Sequence, residues 1–412
     1  MNRRAFLAVL SAPVATSWVA CGRPGRSWGQ PWDDILLRMP APLVDLIDNP
    51  AHEVQVLYTR IDRAPTGAVR LTRFPLKLAP QRWFTAASWV KLPAVLVAAE
   101  QLTRLGLDAE ARVTLEAPPA TGNWDAAEPL AETFRRTVRR LFTVSENVPF
   151  NRLYELIGQG ELGETLVAHG YPHARLIARL GSGDAEANRR VGASRIQSAT
   201  GVDVERRDAR MNADAPAFPF GAAMKGRGWQ TADGGIVTGP HDFSHTNFIP
   251  LESMHDMLLS LVFAEAVPAN RRWAIGPDMR QALLTELARW PRESTDPVYG
   301  PPEYFDGYSK YFVVGDSPNT APDGLRQFGK SGQAYGYLQD CAYVIDRDRG
   351  VEFLLAATIH ANADGIYNDD KYEYEEISLP FLAALGRAVL EHERDRPRSV
   401  RPTFDDLPTG WS

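Results

Sequence analysis

The run Cys341-Ala342-Tyr343-Val344-Ile345, the charged segment Arg347-Asp348-Arg349-Gly350 and the run Val351-Glu352-Phe353-Leu354-Leu355-Ala356-Ala357-Thr358-Ile359-His360 together decide how this chain folds. Two stretches rich in β-branched, aliphatic and aromatic residues, split by a short charged turn, predict an antiparallel hairpin. Working outward, Val54, Val56 and Tyr58 alternate as in a half-buried strand, so the other end of the chain also feeds a sheet. Leu36, Leu37, Leu43, Leu46 and Ile47 recur at helical spacing ahead of it. A last helix is expected from Ser378-Leu379-Pro380, with Ser as a cap, Pro tolerated early, and Phe381, Leu385, Ala388 and Val389 on one face. Between these ends, from Ala94 to about Ala288, apolar residues follow a helical period: Val95, Ala98, Leu102 and Leu105, then Leu153, Leu156 and Ile157, then Met254, Met257, Leu258 and Leu261.

The expected architecture is therefore α/β (α+β): an antiparallel sheet flanked by N- and C-terminal helices, with an all-α domain inserted between the two halves of the sheet domain. The sheet domain takes residues 33–83 and 325–394, and the mostly helical domain 84–324. That middle carries insertions at 181–245, which is Gly-, Ala-, Asp- and Arg-rich with weak periodicity, and at 291–323, a Pro-rich stretch holding Tyr299, Tyr304, Phe305, Tyr308, Tyr311 and Phe312. Residues 395–412 form an irregular tail. A cleft between the two domains is the default place for a site.

The 412 residues are 44% hydrophobic and 23% charged, which excludes a disordered chain, a collagenous fibre or a disulfide scaffold and allows a sizeable core. The net charge of −6, with no basic block beyond the N-terminus, argues against capture of nucleic acid or of an anionic membrane surface and in favour of a small-molecule or peptide partner. Residues 1–21 have the layout of an export signal: basic Arg3-Arg4 followed by Phe6-Leu7, as in a twin-arginine motif, then an apolar run ending at Trp18-Val19-Ala20-Cys21, which resembles a lipobox. Lipidation at Cys21 and ordinary cleavage near Ala20 are the two alternatives. Gly22 to Trp32 suits a tether. With Cys21 lipidated, Cys341 has no partner for an intrachain disulfide. The expected location is periplasmic or cell-envelope.

Ser88-Trp89-Val90-Lys91 opens a helix, and the three-residue spacing puts serine and lysine on one face. A serine becomes a nucleophile when a neighbouring base takes its proton, and a buried lysine beside another cation supplies one. The amides of a first helical turn offer positive charge to an oxyanion. Ser145-Glu146-Asn147, with Asn151 four residues on, begins another helix, and Lys330-Ser331-Gly332 lies on a strand just before the Cys341 hairpin. The order S-x-x-K, S-D-N, K-T-G belongs to the penicillin-recognising serine enzymes. With the wording Ala87-Ser88-Trp89-Val90-Lys91-Leu92-Pro93-Ala94 and Ser145-Glu146-Asn147-Val148-Pro149-Phe150-Asn151, the chain resembles class A serine β-lactamases and the related penicillin-binding proteins over roughly residues 33–160 and 246–394.

The resemblance implies Ser88 as the acylated nucleophile, Lys91 as its general base, and Ser145 as the relay of a proton to the departing amide nitrogen. Asn147 would bind the substrate's side-chain amide. Lys330 would keep Lys91 deprotonated and attract the substrate carboxylate, which Ser331 would hydrogen-bond. The backbone N–H groups of Ser88 and Gln333 would form the oxyanion hole. Glu146 for Asp and Ser331 for Thr preserve the charge and the hydroxyl. The family's deacylation signature has its nearest counterpart in Asp184-Ala185-Glu186-Ala187-Asn188, which makes Asp184 or Glu186 the candidate base for the second step, against a plain reading as solvated loop acids. Hydrolysis of a β-lactam through a Ser88 acyl-enzyme is the expected activity. The alternatives are a D-alanyl-D-alanine-type peptidase or another acyl-serine esterase or amidase on a peptidoglycan-type peptide, and a sensor that binds such ligands without turnover. No cofactor is called for. His241-Asp242-Phe243-Ser244-His245 lacks a third ligand and reads as a loop, not a metal site. The aromatic stretch 299–312 either lines the cleft mouth or packs on the sheet.

Overall fold

In the computed structural model, which describes residues 27–408, five antiparallel strands build the central sheet. They are β1 (Gln55–Arg63), β2 (Val69–Leu76), β3 (Leu325–Ala334), β4 (Tyr337–Asp346) and β5 (Val351–His360), in the spatial order β3-β4-β5-β1-β2. The export signal and Cys21 lie outside the described residues.

The hairpin expected around residues 347–350 joins β4 to β5 in continuous register from Asp346 opposite Val351 to Tyr337 opposite His360. Its turn is closed locally, with the Arg349 N–H donating to Asp346 Oδ1 (3.1 Å) and Gly350 taking the left-handed φ of 59°. Between β3 and β4 only Tyr335 and Gly336 turn the chain, both at positive φ (52° and 77°), the backbone of a tight two-residue hairpin. All of β5 is buried, because both faces of the sheet are covered. Phe353, Leu355, Ala357 and Ile359 enter one core with Phe381, Leu385 and Val389, while Leu354 and Ala356 enter the other with Met254, Met257 and Leu258. Each of the buried Phe, Leu, Ile, Val and Met side chains contributes about 1.5–3 kcal/mol.

The helices that matter for the site are α1 (Lys91–Arg104), α2 (Phe134–Thr143), α3 (Asn147–Ile157), α4 (Leu251–Val262), α5 (Pro277–Ala288) and α6 (Leu379–Asp395). Helix α1 buries every residue from Lys91 to Ala99, the pattern of a helix surrounded by core. Thr133 caps α2 by accepting from the Arg136 N–H (3.2 Å). Two expectations are corrected. Ser378 makes no side-chain cap to α6, because the chain enters that helix through a wide turn over Tyr374–Ser378. The middle region is mostly helical but not all-α. Arg112–Leu115 pairs with Ala131–Thr133 and Ser194–Gln197, the last of which pairs with Asp203–Arg207, and the 181–245 stretch adds several two- and three-residue pairings. Arg112–Leu115 and Ser194–Gln197 alternate in burial over only four residues each, and Asp203–Arg207 and Ile236–Thr238 are too exposed to print an apolar alternation on the sequence. Among the described residues no helix is long and apolar enough to cross a membrane.

Candidate active site

The nucleophile candidate sits where a strained turn meets α1. Ala87 holds φ 42°, residues Ala87–Val90 form a 3-10 turn, and α1 follows at once. Ser145 likewise holds φ 63° between α2 and α3. Left-handed backbone at non-glycine residues costs on the order of 1–3 kcal/mol and persists only where surroundings enforce it. Here the surroundings are a buried amine. Lys91 Nζ lies 2.8 Å from Ser88 Oγ, 2.6 Å from Ser145 O, 3.0 Å from Ser145 Oγ and 2.9 Å from Asn147 Oδ1. Lys330 Nζ reaches the same Ser145 Oγ from β3 at 2.9 Å and also donates to Ser331 O (2.7 Å). The three segments that are far apart in sequence thus converge on one hydroxyl.

Electrostatics decide which amine carries a proton. Burial, and next the positive charge of Lys330, push the Lys91 ammonium well below its ordinary range, with Glu146 opposing. A neutral Lys91 has two N–H donors and a lone pair. Ser145 O and Asn147 Oδ1 can only accept, so they hold both N–H groups and leave the lone pair for the hydroxyls of Ser88 and Ser145. Lys330 is also lowered, to about 7, by burial, with the carboxylate of Asp340 pulling it up and Lys310 pushing it down.

Gly332 brings β3 against the nucleophile: a side-chain carbon there would fall 3.2 Å from the Ser88 N and 2.9 Å from Gln339 Nε2. Gln333 follows directly on this contact, on the edge strand of the sheet. Ser331 Oγ donates to Ser309 O (2.7 Å), so a ligand carboxylate would have to take that proton from a protein carbonyl.

Glu146 does not face the amine cluster as an acceptor. Arg140 holds it (Nη2 to Oε2, 2.5 Å) and the Tyr299 hydroxyl donates to its other oxygen. Arg140 in turn meets Glu132 and Glu128, and Glu132 meets the fully buried Arg152 (2.7 Å). The aromatic stretch 299–312 therefore serves both expectations. Tyr299 borders the Ser145 turn, and Tyr311 and Phe312 pack in the core under the sheet.

The two deacylation candidates are occupied elsewhere. Asp184 Oδ1 accepts from the Ala187 N–H (2.9 Å) as the cap of a short helix, and exposed Glu186 pairs with Arg190. Asn151 grips this loop four residues earlier, at Leu180, accepting from its N–H (2.9 Å) and donating to its carbonyl (3.1 Å). Among the described residues neither carboxylate is hydrogen-bonded to Ser88, Lys91, Ser145 or Lys330. His241 stacks on Trp229 (3.9 Å between centroids), and no group of three or more His, Cys, Asp or Glu among the described residues could hold a metal ion.

Sequence reasoning missed Asp340, Lys310 and Arg140. Their one available signal was charge inside otherwise apolar or aromatic runs, as in Gln339-Asp340-Cys341 and Ser309-Lys310-Tyr311.

Residues 46–206 match the model of the beta-lactamase enzyme family. That span includes Ser88, Lys91, Ser145 and Asn147 and stops short of Lys330. The resemblance to the serine β-lactamase and penicillin-binding group drawn from the motifs is thus found again over that span. Among solved structures, the chain is similar to a beta-lactamase from Sphaerobacter thermophilus, at 14% identity and TM-score 0.49, covering 89% of this chain and 99% of that one. It is also similar to a beta-lactamase from Desulfarculus baarsii, at 15% identity and TM-score 0.48, covering 88% and 98%, and to PBP-A, at 14% and 0.49, covering 86% and 98%. No curated protein matches the chain.

Proposed function

We propose that the chain is a serine hydrolase of the β-lactamase type that opens a cyclic amide by forming an acyl-enzyme on Ser88. The observation that carries this reading is Lys91 Nζ lying within hydrogen-bond reach of both Ser88 Oγ and Ser145 Oγ, with its acceptor-only neighbours consuming its N–H groups. Lys91 takes the Ser88 proton as Oγ adds to the carbonyl carbon, and the oxyanion is met by the amides of Ser88 and Gln333. Ser145, fed by the amines on either side, protonates the departing nitrogen. Lys330 and Ser331 meet the substrate carboxylate, and Asn147 the side-chain amide. Intact-protein mass after mixing with benzylpenicillin tests it. An adduct equal to the whole antibiotic is expected, and it should be absent from Ser88→Ala. An adduct of the same size in Ser88→Ala would overturn the assignment.

A second reading, a penicillin-binding protein whose acyl-enzyme is long-lived, draws on the occupied carboxylates of Asp184 and Glu186. Hydrolysis of the ester needs a base beside the attacking water. If that base is missing from this loop, Asp184→Ala and Glu186→Ala leave the adduct lifetime of the parent protein unchanged after free antibiotic is removed. A lifetime prolonged tenfold or more in either variant would restore that residue as the base and favour the first reading.

A further inference from the structure

Three tyrosines form a ladder of rings beside the Ser145 turn. Tyr299 and Tyr304 meet edge to face, with centroids 5.3 Å apart and planes at 67°, and Tyr304 meets Tyr308 in the same way at 4.8 Å and 69°. All three are half-buried, so none is sealed in the core. The two ends of the ladder adjoin different parts of the site. At one end the Tyr299 hydroxyl donates to Glu146, the residue between Ser145 and Asn147. At the other end Tyr308 precedes Ser309, where a buried strap begins. Ser309 Oγ donates to the Thr143 carbonyl at the end of α2 (2.7 Å), and the Ser309 carbonyl accepts from Ser331 Oγ on β3 (2.7 Å). Further along the strap, the amides of Tyr311 and Phe312 donate to Asp340 Oδ2 on β4 (2.7 and 3.3 Å).

The loop that carries the rings is tied down on both sides. Buried Asp306 accepts from the Ala321 N–H (2.7 Å) and is paired with Arg292, and Arg139 Nη1 donates to the Asp296 carbonyl (3.0 Å). Gly307 lets the turn Asp306–Tyr308 lie against the Val314 carbonyl, where a side-chain carbon would collide with that oxygen. Rings already held in place lose little freedom when a ligand lies on them, so their surface is available for binding at small entropic cost.

We propose that Tyr299, Tyr304 and Tyr308 form the subsite for the half of the substrate that carries the carboxylate and the departing nitrogen, and that they favour a flat aromatic substituent there. The proposal rests on the acyl-enzyme reading above. In that reading Ser145 meets the departing nitrogen and Ser331 the carboxylate, so a substituent beside the carboxylate leaves the reaction centre past these two residues. The ladder spans the same interval: one end is hydrogen-bonded to the residue after Ser145, and the other is next to the residue that accepts from Ser331. The acyl side chain, which Asn147 meets, lies on the opposite side of the scissile bond. An aromatic group laid on the tyrosines gains both apolar burial and ring–ring contact, whereas a small polar group gains little of either.

The test compares two cephalosporins that share a thienylacetyl side chain and differ only beside the carboxylate: nitrocefin carries a dinitrostyryl group there and cephalothin an acetoxymethyl group. The second-order rate of acylation of the full chain is measured for each by stopped-flow absorbance of lactam opening. Tyr304→Ala, which removes the middle rung, should lower the nitrocefin rate by about tenfold and leave the cephalothin rate within about twofold of the parent. Tyr304→Phe, which keeps the ring, should retain the parent rate with both. Should Tyr304→Ala fail to fold, Tyr308→Ala should show the same unequal loss and decides the matter alone. Equal losses with both compounds would mean that the rings only brace the Ser145 turn or hold the shared acyl side chain, and they overturn the proposal, as do rates unchanged with both. A parent protein acylated by neither compound overturns the acyl-enzyme reading, and this proposal with it.

Discussion

Replacing Lys91 by methionine should slow acylation of Ser88 by about 10³-fold while leaving the protein folded, because a positioned proton acceptor contributes about 10²–10⁴-fold to such a step. The side chain is fully buried, and methionine has similar length and a flexible apolar stem, so the space stays filled. What disappears is the lone pair aimed at Ser88 Oγ and the link that joins Ser88, Ser145 and Asn147. The free proteins should differ little in melting temperature, since burying an amine is itself unfavourable and its removal offsets the hydrogen bonds lost at Ser145 O and Asn147 Oδ1. Stopped-flow acylation by a fluorescent penicillin, with a thermal melt as control, separates the two effects. A variant that melts like the parent and acylates within about threefold of it would remove Lys91 as the base and leave proton acceptance to another group. The pH profile carries a second signature. Lys91 acts in its neutral form and Lys330 in its charged form, so the lowering of Lys91 serves the reaction while that of Lys330, to about 7, confines its charged form to the acid side of that value. Two lysines meeting at one serine hydroxyl add to the first of these, because the charge on Lys330 is, after burial, among the causes that depress Lys91.

Much of this arrangement was legible in the sequence because its parts are local. The β4–β5 hairpin announced itself through two apolar runs and a charged turn, and Ser88 and Lys91 are three residues apart on one turn of chain. The order of the three motifs named the residues that meet, although nothing in the spacing between Lys91, Ser145 and Lys330 says that they approach to 3.0 and 2.9 Å. What stayed hidden depends on tertiary contact. Asp340 reads as one polar residue in a strand, and only its opposition to Ser331 and the arrival of the strap from 309–312 show why a carboxylate is tolerated there. Lys310 reads as a surface charge in a loop, yet it is 1% exposed. The short pairings of 190–242 left no periodic trace, because segments of two or three residues on an exposed rim need no apolar face. The loop acids show the converse. Asp184 and Glu186 have the right residue type near the right place in sequence, and the fold uses them for a helix cap and a surface ion pair.

The largest loss of stability should follow substitution of a residue that touches no substrate. Glu132, 3% exposed on the strand Ala131–Thr133, accepts from Arg136 (2.7 Å), Arg140 (3.2 Å) and the Thr137 hydroxyl (2.9 Å), and it is paired with Arg152 (2.7 Å). Glu132→Ala leaves these guanidinium groups without their shared anion. Arg136 is about one-third exposed and can turn to water and Asp296, and Arg140 keeps Glu128 and Glu146. Arg152 has no such recourse. It is fully buried, and what remains to it is the carbonyl of Pro129 and the face of Trp124 at 5.4 Å. Breaking a buried pair by removing one partner costs about 3–5 kcal/mol, so the denaturation midpoint should drop well below that of the parent. Glu132→Gln, which keeps the shape and one acceptor oxygen, should lose less. The change also reaches the site, since Arg140 holds Glu146 between the two hydroxyl-bearing ends of the Ser145–Asn147 turn and the Tyr299 loop. With Glu132 gone, Arg140 is drawn further toward Glu128 and Glu146, and acylation of Ser88 in the surviving folded protein should fall several-fold. Double substitution Glu132→Ala with Arg152→Met should recover part of the stability, because an apolar pair in place of a buried ion pair removes the stranded charge. Failure of that second substitution to restore anything would mean that the cost lies in the short strand's own packing rather than in the charge of Arg152.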